Sequence, residues 1–133
     1  RGRLDGRRVA VWGLSFKPET DDIRASPALA TVRVMAAAGA VVVGYDPAAM
    51  RNVRAELGDL IVYATDAYEA AEGADALVLV TEWHEFRRPD FPKLRSRMRG
   101  DALFDGRNVW SPEEARRAGF RYYSIGRPAL SSS

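Results

Sequence analysis

The sequence predicts an α/β domain, a Rossmann-like doubly wound parallel sheet of about six strands in three layers. Three observations carry that expectation. Short apolar runs recur along the chain, and helical patterns with recognisable caps lie between them. One of those runs, Ala76 to Val80, is apolar without alternation, as a central strand buried on both faces must be.

The elements follow in order. Arg8 to Leu14 forms the first strand. Ser26 is placed to cap a helix with Pro27 in its first turn, and Ala28, Leu29, Val32, Met35 and Ala36 recur at three- and four-residue spacing before Gly39 ends it. Val41 to Tyr45 is the second strand, closed by Asp46-Pro47, and Ala48 to Leu57 reads as a helix stopped by Gly58. A short third strand, Leu60 to Tyr63, precedes Asp66, which caps a helix over Ala67 to Glu72 closed by Gly73. After the central strand at Ala76 to Val80, Thr81 to Pro92 is irregular or short-helical, Lys93 to Arg99 is helical and Ala102 to Phe104 is the fifth strand. Ser111-Pro112-Glu113-Glu114 is a capping box opening a helix that ends at Gly119, and Phe120 to Ile125 supplies the sixth strand. Residues 1–128 therefore read as one domain and 129–133 as a frayed tail.

Composition narrows the function. Twenty basic residues stand against eighteen acidic ones, interspersed, with lysine only at Lys17 and Lys93, so no basic tract points to nucleic acid. The absence of cysteine excludes a disulfide framework, a thiolate metal site and a cysteine nucleophile within these residues. No apolar stretch reaches the roughly 18 to 20 residues of a membrane span, and the expected location is the cytoplasm. Because the chain opens on Arg1 without methionine, it is expected to be a piece of something longer.

Ligands of such sheets bind beyond the carboxyl ends of the strands, which directs attention to Ser15–Arg24, Asp46, Thr81–Phe86 and Asp105–Asn108. A dinucleotide site needs G-x-G-x-x-G after the first strand, so that backbone can approach the pyrophosphate. Only Gly13 stands there. Asp46 imitates the ribose-binding acid of that fingerprint, but without the glycines it reads as a turn residue before Pro47. In the loop itself Lys17 can offer an ammonium to phosphate or sugar, Phe16 its backbone, and Arg24 a guanidinium fork to an anion. Equally, Lys17, Asp21, Asp22 and Arg24 can pair with one another on a solvated loop. No further ligand cluster supports a metal at Asp21-Asp22. Gly106 allows a sharp turn that aims Arg107 over the same edge, where it can grip a nucleotide diphosphate or be one more exposed arginine. The single histidine, His84, has no partner spacing that marks a base, and Trp83 reads as packing on the following loop.

The stretches "GLSFKPETDDIRASPAL" (13–29), "GYDPAAM" (44–50), "ADALVLVTEWHEF" (74–86) and "DGRNVWSPEEARRAGFRYYSIGRP" (105–128) resemble the C-terminal, UDP-binding domain of the UDP-glucose/GDP-mannose dehydrogenase family. Within it they look most like the bacterial branch that oxidises UDP-glucose, with the branches acting on GDP-mannose and UDP-N-acetylhexosamines as neighbours. The resemblance implies a three-part, homo-oligomeric enzyme: an N-terminal NAD-binding domain, a helical middle with the catalytic cysteine, and this domain closing over the UDP-sugar. It implies that Phe16, Lys17 and Arg107 contact substrate, that Arg24 reaches the NAD held mainly by the other domain, and that Lys17 contributes electrostatically. No catalytic residue or metal ligand is implied within the chain, which alone would be inactive. The reaction so implied takes the sugar 6-hydroxyl to a carboxylate in two NAD-dependent steps through a cysteine thiohemiacetal.

Overall fold

A computed structural model describes residues 4–17, 20–24 and 26–124. The elements, in chain order, are β1 (Arg8–Trp12), α1 (Pro27–Ala37), β2 (Val41–Tyr45), α2 (Met50–Leu57), β3 (Val62–Tyr63), α3 (Ala67–Ala71), β4 (Ala76–Leu79), α4 (Phe91–Arg97), β5 (Ala102–Asp105), α5 (Pro112–Arg117) and β6 (Arg121–Ser124). All strand pairs are parallel and the order is β3-β2-β1-β4-β5-β6, the doubly wound arrangement expected from the alternation of elements.

The two-residue period of β1 divides the core. Val9 and Val11 face α1 and α2, where Val32, Leu29, Val53 and Leu57 close one layer. Ala10 and Trp12 face the other way, into a larger cluster with Leu77, Leu79 and Leu103 of the sheet, Ala70 and Ala71 of α3, Leu94 of α4 and Ala115 of α5. Trp12 organises that side. Its ring stacks on Phe86 at 5.0 Å and meets Trp110 edge-on at 5.9 Å, while its indole N–H donates to the Ala67 carbonyl at 2.9 Å. Ser26, Asp66 and Ser111 each cap the helix expected of them through a side-chain oxygen.

The differences from expectation lie at element ends. β1 stops at Trp12, because Gly13 takes φ +94° and turns the chain out of the sheet. α2 starts two residues late, after a turn whose Ala48 and Ala49 amides are taken by the Asp46 carboxylate. The third strand shrinks to Val62–Tyr63 because a 3₁₀ turn occupies Gly58–Leu60. α4 begins at Phe91, two residues before Lys93, since Asp90 caps it by accepting from the Lys93 amide and Pro92 sits in its first turn. It also ends early, where Arg99 and Gly100 donate to the Ala74 carbonyl. The expected final residue of the sixth strand, Ile125, and the tail at 129–133 lie outside the described residues.

Candidate functional site

The loop leaving β1 is built around Ser15, which is fully buried. Its amide donates to Asp46 Oδ2 at 2.9 Å, and its hydroxyl donates to the Lys17 carbonyl at 2.9 Å while accepting the Trp83 indole N–H at 3.2 Å. Its carbonyl accepts from Thr81 Oγ1 at 2.7 Å and from Ser26 Oγ at 3.4 Å. Three other segments, at Ser26, Asp46 and Thr81–Trp83, thus converge on one residue. Immediately beyond it the chain turns outward. Phe16 is 49% exposed although its amide is tied to the Asp22 carbonyl at 2.7 Å, and Lys17 is exposed with no ion pair among the described residues.

Asp46 is more than the turn residue its sequence setting suggests. It is buried, and its two oxygens accept five hydrogen bonds: Leu14 N, Ser15 N and Trp83 Nε1 on Oδ2, Ala48 N and Ala49 N on Oδ1. A buried carboxylate persists only with such a ring of donors. The carboxylate faces into the protein, so it is not offered to a ribose. Gly13 likewise serves an internal purpose. A Cβ there would lie 2.5 Å from the Thr81 side chain, so the glycine lets the ends of β1 and β4 meet where a dinucleotide pyrophosphate would need open backbone. Trp83, read as packing, is buried and doubles as a hydrogen-bond donor to both Ser15 and Asp46.

The charged loop resolves into a pair. Arg24 donates to Asp22 through Nε and a terminal nitrogen, each at 3.0 Å, and its amide donates to Asp22 Oδ1 at 2.9 Å. Those bonds, side chain first, hold the Asp22 carboxyl down at about 2, and the same contact raises Arg24 further. The Arg24 side chain is nonetheless 89% exposed, so this fork is reachable from solvent. The Asp22 carboxylate is engaged by Arg24, and the Asp21 carbonyl accepts from Asn52.

On the other side of the edge, Asp105 is a second buried carboxylate. Oδ1 accepts from the amides of Arg107 and Asn108, and Oδ2 from the Trp110 amide and the Tyr122 hydroxyl. The left-handed residue of this turn is Asn108, at φ +59°, and not Gly106 as expected; Gly106 instead donates its amide to the Leu79 carbonyl. Arg107 projects outward and is clasped by Glu82, Nε to Oε1 at 3.1 Å and a terminal nitrogen to Oε2 at 3.2 Å.

Thr81-Glu82-Trp83 therefore joins the two halves. Thr81 and Trp83 hold Ser15 beside Lys17, and the residue between them holds Arg107. Arg24 stays outside that junction, in the Asp22 pair. The internal hydrogen bonds of Ser15 and Thr81 and the ion pair of Glu82 were not visible in the sequence, where their only signal is position after β1 and β4. A neighbouring carboxyl, Glu85, is pushed up by partial burial and then by the charge of Asp46, against a hydrogen bond from Tyr45 that lowers it. A cavity of about 720 Å³ lies next door between the His84–Phe86 turn and the start of α5, lined by His84, Arg87, Arg88, Phe91, Val109 and Ser111 among others. Phe16, Lys17, Arg24 and Arg107 do not line it. They stand on an open edge, Phe16, Lys17 and Arg107 exposed and Arg24 beside Ile23 and Asp22.

Comparison with known proteins identifies the family. Residues 10–112 match the model of the UDP-glucose/GDP-mannose dehydrogenase family, UDP binding domain. A UDP-glucose 6-dehydrogenase of Rhizobium meliloti is 52% identical over 127 residues, covering 96% of this chain and 29% of that protein. Among solved structures, a UDP-glucose dehydrogenase from Pyrobaculum islandicum superposes with a TM-score of 0.75 at 36% identity, over 90% of this chain and 25% of its own. An NDP-N-acetyl-D-galactosaminuronic acid dehydrogenase from Methanosarcina mazei gives 0.81 at 25% identity, over 98% of this chain and 27% of its own. The chain thus spans less than a third of the length of these relatives, and it belongs to the UDP-glucose/GDP-mannose dehydrogenase family as its UDP-binding domain.

Proposed function

We propose that this chain is the substrate-binding domain of an NAD-dependent dehydrogenase that oxidises UDP-glucose to UDP-glucuronate, the thiol and most of the cofactor site coming from other domains of a longer, homo-oligomeric, cytoplasmic enzyme. The observation that supports it is the Thr81–Trp83 junction, which sets an exposed lysine and a forked arginine on one open sheet edge. Diphosphate and sugar oxygens call for that combination of a mobile point charge and a planar fork. Lys17 neutralises negative charge developing on the sugar, the Phe16 backbone flanks it, and Arg107 clamps phosphate or sugar oxygens with the donors that Glu82 leaves uncovered.

The chain's own residues do not fit a whole NAD: Gly13 abuts Thr81 and the Asp46 carboxylate is turned inward. NAD supplies the oxidant in the longer protein, and Arg24 would add one guanidinium to its binding. With no cysteine and one wall of the site, the isolated chain binds UDP weakly and catalyses nothing. Calorimetry of UDP, UDP-glucose, GDP and NAD against the purified chain tests this. UDP and UDP-glucose are expected to bind saturably but weakly, and NAD less well than either. Tighter binding of NAD than UDP, or reduction of NAD by the chain with UDP-glucose, would overturn the assignment.

A further inference from the structure

Ser15 makes no contact with solvent, yet every polar group it carries is engaged, and three of its partners come from other parts of the sheet edge. The outcome of that arrangement is a single bond, from Ser15 Oγ to the Lys17 carbonyl. The hydroxyl cannot rotate to another acceptor without abandoning that carbonyl, because its acceptor side is fixed by the Trp83 indole, itself shared with Asp46.

We propose that Ser15 is a positioning residue for ligand binding: through Trp83 and Asp46 it sets where the Lys17 peptide stands, and so where the ammonium reaches. This rests on the reading of Lys17 as the ligand contact. Ser15 itself touches no ligand, and its effect passes entirely through Lys17. A residue that merely stabilised the fold would loosen Arg107, Phe16 and Lys17 together.

The test is a cycle of Ser15→Ala, Lys17→Ala and the double variant in the 133-residue chain. UDP affinity is read by titration of amide resonances, and stability by thermal melting. Ser15→Ala removes one oxygen and leaves Trp83 its bond to Asp46, so the fold is expected to survive with a modestly lower melting temperature. UDP affinity should fall roughly fivefold, the scale of one lost neutral hydrogen bond. In the Lys17→Ala background the same substitution should lower the melting temperature as before and leave UDP affinity unchanged, because the group it positions is gone. Trp83→Phe, which withdraws the indole donor and keeps an aromatic ring, should follow Ser15→Ala in UDP affinity and lower the melting temperature further, because Asp46 also loses a donor. An equal loss of affinity with and without Lys17, or no loss in Ser15→Ala while Lys17→Ala binds poorly, overturns the positioning role. If Lys17→Ala binds UDP as well as the parent, the assignment of Lys17 fails first and the proposal falls with it.

Discussion

The loop after β1 and the turn after β5 are both built on a buried aspartate, and they differ in how far that aspartate reaches. Asp105 gathers the amides two, three and five residues ahead of it and one hydroxyl from the neighbouring strand. It makes a local turn that would form much the same shape in any context. Asp46 gathers two amides from its own turn, but its other three donors lie 31, 32 and 37 residues away, on the loops after β1 and β4. It is a seam between strands. The local device carries the fork, Arg107, which needs only to point outward. The seam carries Lys17, whose position matters to a fraction of an ångström if it stabilises charge.

That contrast can be broken most directly by removing each carboxylate. Asp46→Ala strands five donors from three segments and is expected to cost about 4 kcal/mol, whereas Asp105→Ala strands four, of which the Arg107 and Asn108 amides are only part-buried, and should cost about 2 kcal/mol. Urea unfolding measures both, and equal losses would erase the distinction. Next in size are effects on chemistry in the longer enzyme we propose. Lys17→Ala should lower turnover by roughly two orders of magnitude, as for one lost oxyanion donor, while Arg24→Ala should leave turnover nearly intact and raise the Michaelis constant for NAD about tenfold. Steady-state kinetics with both substrates varied, beside a thermal melt, separates these from a shared folding defect. Smaller again, Arg107→Lys should weaken UDP binding roughly fivefold, since an ammonium cannot present two parallel donors to Glu82 and a phosphate at once. Calorimetry reads it, and an unchanged affinity would show that the fork is not used.

The smallest effect sharpens the account of the charged loop. The Asp22 carboxyl is held at about 2 against an ordinary value of 3.8, so the pairing with Arg24 is fully present above the ordinary value and is lost as pH falls through about 2. Because the pair is open to water, its effect on overall stability should be slight. A carbon-detected titration should show Asp22 still ionised at pH 3, and protonating at a clearly higher pH in Arg24→Gln, which keeps only the bond from the backbone amide of residue 24. A midpoint unmoved by that substitution would assign the depression to something other than Arg24.

Range in sequence also decides what could be read without coordinates. The strand order follows from alternation of apolar runs and capped helices, and the caps at Ser26, Asp66 and Ser111 are local patterns that the structure keeps. The Asp105-Gly106-Arg107-Asn108 turn was legible for the same reason, although the left-handed residue proved to be Asn108, whose side chain tolerates that region. Asp46, Ser15 and Glu82 were not legible as a site. Each acts across the sheet on partners that no spacing rule connects, and a buried aspartate before proline looks the same in sequence as an exposed one. The pairing of Asp22 with Arg24 was one of two open readings, and only the observed bonds choose it.

The close approach of Gly13 to Thr81 has a consequence for anyone wishing to redesign this domain. Its strand order is that of a dinucleotide binder, and restoring the missing glycines looks like a short route to one. The route is blocked from beneath. Thr81 fills the hollow against Gly13, and the aspartate at the end of β2 is already fastened to five donors, so new glycines would meet a floor that is too high and an acid that faces the wrong way. Converting the scaffold would require rebuilding the ends of three strands at once, which makes such a change hard to reach by single substitutions.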